Sequence, residues 1–132
     1  MKLDIYYVDA FAESVFSGNP AAVIFSDLND ETIMQKIAAE NNLSETAFIK
    51  QNNGTNHIKW FSPTTEVNLC GHATLASGYV YFKFINQNER KITFTSASGD
   101  LVVENKDTFL ELDFPKDTYS EVDYINQVED SI

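Results

Sequence analysis

The residues from Gly71 to Ile85 are apolar on nearly every side, and Lys83 is their single charged residue. A helix at a protein surface carries one apolar stripe, whereas a helix that is apolar all round must be buried. The first half of this segment consists mainly of small residues, which allow neighbouring elements to approach its backbone closely. The segment therefore predicts one central buried helix.

Strand-like segments dominate the rest of the chain. Short runs rich in β-branched and aromatic residues, separated by turn signals such as Gly18-Asn19-Pro20 and the NNGTN stretch, are typical of β-strands. We expect strands at Leu3–Val8, Ala21–Phe25, Glu45–Lys50, Asn56–Ser62, Lys91–Ser96, Asp100–Glu104 and Thr108–Phe114.

A second helix is expected at about Asp30–Asn41, where Ile33, Met34, Ile37 and Ala38 form an apolar stripe at helical spacing. With few helices, many strands and one central apolar helix, the predicted fold class is α+β.

The chain has 132 residues, of which 43% are hydrophobic, so it has the size and the apolar content of one domain with a real core. Its character changes after Pro115, because residues 116–132 are rich in acids and poor in aliphatic side chains. We therefore expect a folded domain over residues 1–115 and an acidic linker or tail over residues 116–132.

Charge and composition argue against several classes of partner. The net charge is −11 and no Lys/Arg cluster is present, so we expect neither nucleic acid nor an anionic membrane as a partner. No apolar run is long enough to span a bilayer, and the N-terminus lacks the pattern of a signal peptide. A single cysteine suits a reducing compartment, so the expected location is cytoplasmic.

Glu45 is the first residue with possible chemistry, and it lies within the stretch NLSETAF. If a strand begins at Glu45, its side chain shares a face with Ala47 and Ile49. A carboxylate on an apolar face loses hydration, which raises its pKa and suits a group that shuttles protons near neutral pH. An exposed glutamate at a strand end is the commoner case, and the residues alone favour it.

Cys70-Gly71-His72 stands at the start of the predicted central helix. Free N–H groups and the positive end of the helix dipole lie at such a terminus, which is a suitable place for a carboxylate or a phosphate. The same field is expected to lower the pKa of Cys70, and His72 could donate a hydrogen bond or move a proton. The alternative is a small buried cysteine with a histidine satisfied by nearby backbone.

Metal binding is not expected. Zinc needs three or four ligands, and a count of Cys and His finds one cysteine and two histidines, of which His57 is expected at the surface. Motifs for a serine nucleophile, a dinucleotide or a P-loop phosphate are absent from the sequence.

Taken together, the motifs resemble the PhzF-like family, which is named for the phenazine biosynthesis isomerase and is related to diaminopimelate epimerase. The resemblance covers nearly all of residues 3–115 in the family's order. It is carried by VDAF, FSGNPAAV, MQKIAAENNLSETAFI, WFSPTTEVNLCGHATLA, SGDLVVE and LELDFP.

The resemblance implies a mostly antiparallel, barrel-like sheet around a central helix, in a protein with two such domains and no cofactor. It implies that Glu45 is the proton-shuttling catalytic residue and that Gly71 and His72 bind a small carboxylate substrate in the cleft between the domains. In the epimerase relatives a cysteine equivalent to Cys70 is one of two catalytic bases.

The chain resembles only the N-terminal half of the family. Half a cleft neither positions a substrate nor excludes water. We therefore expect an isomerase that is complete only with a second domain or subunit, either another copy of the chain in a homo-oligomer such as a dimer, or a separate second half. The alternatives are a non-catalytic truncated half or binding domain, and a Cys70-dependent epimerase or racemase.

Overall fold

The computed structural model describes residues 3–10, 19–107 and 109–114, so the predicted acidic tail lies outside the described residues. The elements follow one another as β1 (Ile5–Ala10), β2 (Asn19–Phe25), α1 (Glu31–Asn41), β3 (Glu45–Asn52), β4 (Thr55–Phe61), β5 (Glu66–Val67), α2 (Gly71–Val80) with a π-helical turn (Tyr81–Ile85), β6 (Lys91–Ser96), β7 (Gly99–Asn105) and β8 (Leu110–Asp113).

The strands form one eight-stranded sheet in the order β1-β2-β3-β4-β6-β7-β8, with β5 paired to β4. Its pairings are antiparallel except for the parallel pairs β2–β3 and β4–β6. The sheet curls around α2, which contacts strands near both ends of the sheet as well as β3. The predicted α+β fold, a mostly antiparallel barrel-like sheet around one central buried helix, is confirmed.

The main core lies between α2 and the inner face of the sheet. The outer face is covered near β2, β3 and β4 by α1, whose Met34 and Ala38 pack with Phe48 and Phe61. Asp30 caps α1 by accepting hydrogen bonds from the N–H groups of its first turn. Because side chains alternate along a strand, β3 presents Phe48 to α1 and its neighbours Ala47 and Ile49 to α2.

The hairpin between β3 and β4 has the geometry that its sequence predicts. Asn53 and Gly54 connect Asn52 to Thr55 with φ angles of 51° and 82°. Two central residues with positive φ define the turn that matches the twist of paired strands, and Asn-Gly is its preferred sequence. The turn fixes the register of β3 and β4, and with it the face that each side chain of β3 occupies.

Two expectations from the sequence are wrong in part. Asn19 and Pro20 are not in a turn but begin β2, where they pair with β1, while Gly18 lies outside the described residues.

The buried part of the central helix is also shorter than expected. The α-helix ends at Val80, and within the π-helical turn Phe84 and Ile85 are 53% and 40% exposed. The ring of Phe84 stacks on Tyr6 of β1, with 5.0 Å between the ring centroids, but the sheet does not bury either side chain. The apolar character of the segment therefore overestimated the length that is buried.

The other expected strands and α1 are confirmed with end shifts of at most two residues. The strand β5 was not expected, because Glu66 and Val67 are too few residues to carry an alternating pattern.

Gly78 shows how closely α2 approaches the sheet. A Cβ atom added at this buried glycine would lie 2.5 Å from Cγ1 and 2.9 Å from Cβ of Val103 in β7. Both distances are shorter than ordinary contacts between carbon atoms, which lie near 3.5–4.0 Å. The small residue therefore sets the distance between the helix and β7.

We predict that Gly78→Ala lowers the free energy of unfolding by about 1–3 kcal/mol, because overpacking outweighs the roughly 1 kcal/mol gain in helix propensity. Urea denaturation of both proteins measures the change. In a Val103→Ala background, which removes the nearest contact, the same substitution should cost less. An equal cost in the two backgrounds would contradict close packing at this position.

Candidate active site

Glu45 begins β3 and lies on the inner face of the sheet, together with the core residues Ala47 and Ile49. The prediction that these three residues share a face is confirmed. The exposed glutamate that the residues alone favoured is wrong, because the Glu45 side chain is 18% exposed and therefore largely buried, although it still reaches solvent. Nearby, the side-chain amide of Asn41 donates a hydrogen bond of 3.2 Å to the Thr46 hydroxyl, which joins the end of α1 to the start of β3.

Cys70 is the N-terminal cap residue of α2 and His72 lies in the first turn of the helix. Two buried hydrogen bonds hold this end of α2. The indole N–H of Trp60 donates to the Thr74 hydroxyl at 3.0 Å, and that hydroxyl donates to the Cys70 carbonyl at 2.7 Å. These two hydrogen bonds therefore connect the start of α2 to Trp60 in β4.

The loop before α2 has its own anchor. The Ser98 hydroxyl, in the turn between β6 and β7, donates a 2.7 Å hydrogen bond to the Asn68 carbonyl. Together with Trp60 and Thr74, Ser98 therefore supports the start of α2 and the loop before it. The sequence did not indicate any of the three, because tryptophan and threonine are common in a protein core and serine is common in surface turns.

The structure brings the two predicted motifs together. His72 Nε2 lies 3.1 Å from Glu45 Oε1, and His72 Nδ1 lies 3.5 Å from Cys70 Sγ. One ligand-type atom from each of the three residues lies within 4.8 Å of the others. Gly71, the first residue of α2, stands between Cys70 and His72 and is partly exposed. We call these four residues the α2 site.

Burial controls the protonation of Glu45 and His72. Loss of hydration raises the pKa of the Glu45 carboxyl above its ordinary value, although a hydrogen bond from the Cys70 thiol acts in the opposite direction. Burial lowers the pKa of His72 to about 4, although a carboxylate oxygen of Glu45 lies 3.1 Å away. The imidazole is therefore neutral at pH 7, and its contact with Glu45 is a polar contact rather than an ion pair.

The expectation for Cys70 is wrong. Burial raises the pKa of its thiol to about 12, whereas the helix terminus was expected to lower it. The backbone N–H groups of Ala73 and His72 do favour the thiolate, but the Glu45 carboxylate opposes them and loss of hydration is the largest effect. Cys70 is a protonated thiol at neutral pH.

The possible metal ligands were also undercounted from the sequence. His57 is exposed, as expected, and takes no part in the α2 site. The count of cysteines and histidines omitted Glu45, which supplies a carboxylate oxygen beside the thiol and the imidazole. Glu45 is far in the sequence from Cys70 and His72, so the spacing of the three residues along the chain does not resemble a metal-binding motif.

A comparison with known protein families identifies the family of the chain. The model of the phenazine biosynthesis-like proteins (PhzC-PhzF) matches residues 8–130 of the chain. The chain therefore belongs to the phenazine biosynthesis-like family.

Individual relatives place the chain within that family. It is 46% identical to the uncharacterized isomerase PA3578 of Pseudomonas aeruginosa over 134 residues, which cover 100% of this chain and 51% of the relative. A crystal structure of a PhzF family phenazine biosynthesis protein from Enterococcus faecalis is 49% identical, with a TM-score of 0.80, over 87% of this chain and 45% of that one.

A more distant structure, a predicted epimerase from Pseudomonas aeruginosa, shares the fold at 20% identity, with a TM-score of 0.67 over 85% of this chain and 43% of the other. The chain spans about half the length of the curated relatives it matches.

Within the described residues, no helix combines the length and the apolar character needed to cross a membrane.

We predict that Cys70 reacts slowly with iodoacetamide. With its pKa near 12, the folded chain should be alkylated at least about a hundredfold more slowly than free cysteine at pH 8. Mass spectrometry follows this reaction at a single site, because the chain has one cysteine. The chain unfolded in urea should react at the rate of free cysteine. If the alkylation rate of the folded chain reached half its maximum at a pH below about 8.5, the raised pKa of Cys70 would be contradicted.

Proposed function

We propose that this chain is the N-terminal half of a cofactor-independent isomerase that shuttles a proton on a small carboxylate substrate, with Glu45 as the catalytic acid and base. The observation that carries the proposal is the position of Glu45 on an apolar face, 3.1 Å from His72 at the start of the buried helix. The names of its relatives, which include isomerases, support the same reaction class.

Glu45 has the properties that a proton shuttle requires. Isomerisation removes a proton from one carbon and returns one to another, so the same group must act first as a base and then as an acid. A carboxylate with a raised pKa takes up and releases protons more evenly near neutral pH than an ordinary glutamate. Its 18% exposure leaves the carboxylate open to a substrate that approaches from the solvent side.

Gly71 and His72 are suited to hold the substrate carboxylate. The backbone N–H of Gly71 lies at the first position of α2, where amides have no acceptor within the helix and the helix dipole favours an anion. Because His72 is neutral at pH 7, it contributes a hydrogen bond rather than a charge. Both groups would stabilise negative charge that develops beside the carboxylate during proton abstraction.

Activity is proposed to require a partner for the α2 site. The chain matches about half of each relative, and a substrate above Glu45 needs a second wall that positions it and excludes water. That wall would come from a second domain, or from a second subunit such as another copy of the chain in a homo-oligomer. With a single cysteine in the sequence, the proposed location is cytoplasmic.

A thiol-dependent epimerase is the second candidate, because Cys70 Sγ lies 3.5 Å from a histidine nitrogen. A thiol with a pKa near 12 is a poor base at neutral pH unless the imidazole takes its proton. A racemase of this type also needs a second base on the opposite face of the substrate, and this chain has one cysteine, so a second thiol would have to come from another subunit. A non-catalytic half is the third candidate.

The prediction is that Glu45→Gln lowers proton exchange by at least about 10²-fold, since glutamine keeps the shape of the side chain but cannot carry a proton. Sedimentation first establishes whether the chain pairs with itself or needs an added second half. The assembled protein is then incubated in deuterated buffer with cyclic or amino-acid carboxylates, and NMR follows deuterium incorporation.

Matched variants separate the three candidates. Cys70→Ala should retain most of the exchange, His72→Ala should weaken it, and His57→Asn should leave it unchanged. Exchange that persists in Glu45→Gln but stops in Cys70→Ala would transfer the role to the thiol. No exchange in any assembled form would favour the non-catalytic half.

A further inference from the structure

The α2 site combines three side chains whose chemistry suits a metal ion as well as a substrate. Glu45 offers a carboxylate oxygen, Cys70 a sulfur and His72 an imidazole nitrogen, and these atoms lie within 4.8 Å of one another. Carboxylate, thiolate and imidazole are the three protein ligands of zinc. We propose that Glu45, Cys70 and His72 form a binding site for a thiophilic divalent cation of the Zn²⁺ type.

The three side chains lie close enough together to approach the spacing of a zinc centre, with one ligand atom of each within 4.8 Å of the others. Zinc bonds of about 2.0–2.3 Å in a tetrahedron place neighbouring ligand atoms about 3.3–3.6 Å apart. The distance from Cys70 Sγ to His72 Nδ1 is 3.5 Å, and the distance from His72 Nε2 to Glu45 Oε1 is 3.1 Å. These two contacts use different nitrogens of the His72 ring, and zinc takes one of them, so binding requires the Cys70 or Glu45 side chain to rotate toward the nitrogen that the other contacts.

The surroundings favour a cation over separate buried groups. Cys70 and His72 are each only 8% exposed, so a charge on either one alone lacks hydration. A divalent ion bound by a carboxylate and a thiolate forms a neutral centre, with the neutral imidazole as the third ligand. The proton of the thiol leaves to solvent as the metal–sulfur bond forms, and no oxidant or reductant takes part. The partly exposed Glu45 provides the route of entry.

The support around the ligands is already in place. The hydrogen bonds from Trp60 to Thr74 and from Thr74 to the Cys70 carbonyl hold the start of α2 against β4. Rigid second contacts of this kind position the groups that bind a metal. Three protein ligands leave a fourth position for water or another small ligand.

Metal occupancy would block the proton transfer that we propose for Glu45. The carboxylate would be bound to the cation instead of facing the substrate, so Zn²⁺ would act as an inhibitor of the site. This consequence rests on the proposed function, whereas the binding site itself does not. Its test therefore measures binding directly and needs neither a substrate nor a second half.

The test titrates the purified chain, freed of any histidine tag, with Co²⁺ as a coloured substitute for Zn²⁺. We expect a sulfur-to-cobalt charge-transfer band that saturates at one ion per chain and disappears when Zn²⁺ is added. Since Cys70 is the single cysteine of the sequence, such a band identifies its sulfur without any variant. The absence of the band would overturn the proposal.

Variants assign the other two ligands. Glu45→Gln and His72→Asn should each weaken binding by at least about tenfold, the smallest effect expected even for residues that only support a ligand. His57→Asn is the matched control for loss of a histidine and should bind as the unmodified chain does. Binding that is unaffected by Glu45→Gln and His72→Asn, or lost in His57→Asn, would contradict the site. Circular dichroism confirms that each variant is folded.

Discussion

The burial of α2 inside the curl of the sheet is the constraint on which the rest of the structure depends. The helix has no polar face to turn to solvent, so strands from both ends of the sheet must pack against it. Gly78 lets the helix approach Val103 so closely that a single added carbon would overlap it. A helix fixed in this way also fixes its own N-terminus, which is where Cys70 and His72 stand.

The same burial gives the α2 site its chemistry. Removing three polar side chains from water keeps the Cys70 thiol protonated, keeps the His72 imidazole neutral and makes the Glu45 carboxyl less acidic. Helix-terminal amides alone would have produced a reactive thiolate. Desolvation is the stronger effect here, so the site favours a carboxylate as its proton carrier and leaves the thiol as a neutral neighbour or, with a cation present, as a ligand.

Much of this arrangement follows from the sequence. The uniform apolar character of the segment after Gly71 predicted the central helix, and the period-two pattern placed Glu45 on the same face as Ala47 and Ile49. Other features depend on tertiary contacts that no local pattern encodes. The distance between Glu45 and His72, the direction of the pKa shift of Cys70, and the exposure of Phe84 are all set by which strands happen to cover each residue.

Burial raises the pKa of the Glu45 carboxyl beside a neutral His72, and the proton shuttle proposed for Glu45 depends on this shift. An NMR titration of the chain labelled with ¹³C at its glutamate carboxyls and ¹⁵N at its imidazoles measures both groups, with Glu45→Gln and His57→Asn assigning the signals. The account predicts a Glu45 pKa above the ordinary glutamate value of about 4.3, together with a His72 pKa of about 4. A Glu45 pKa at or below its ordinary value, with His72 titrating near 6.5, would contradict it.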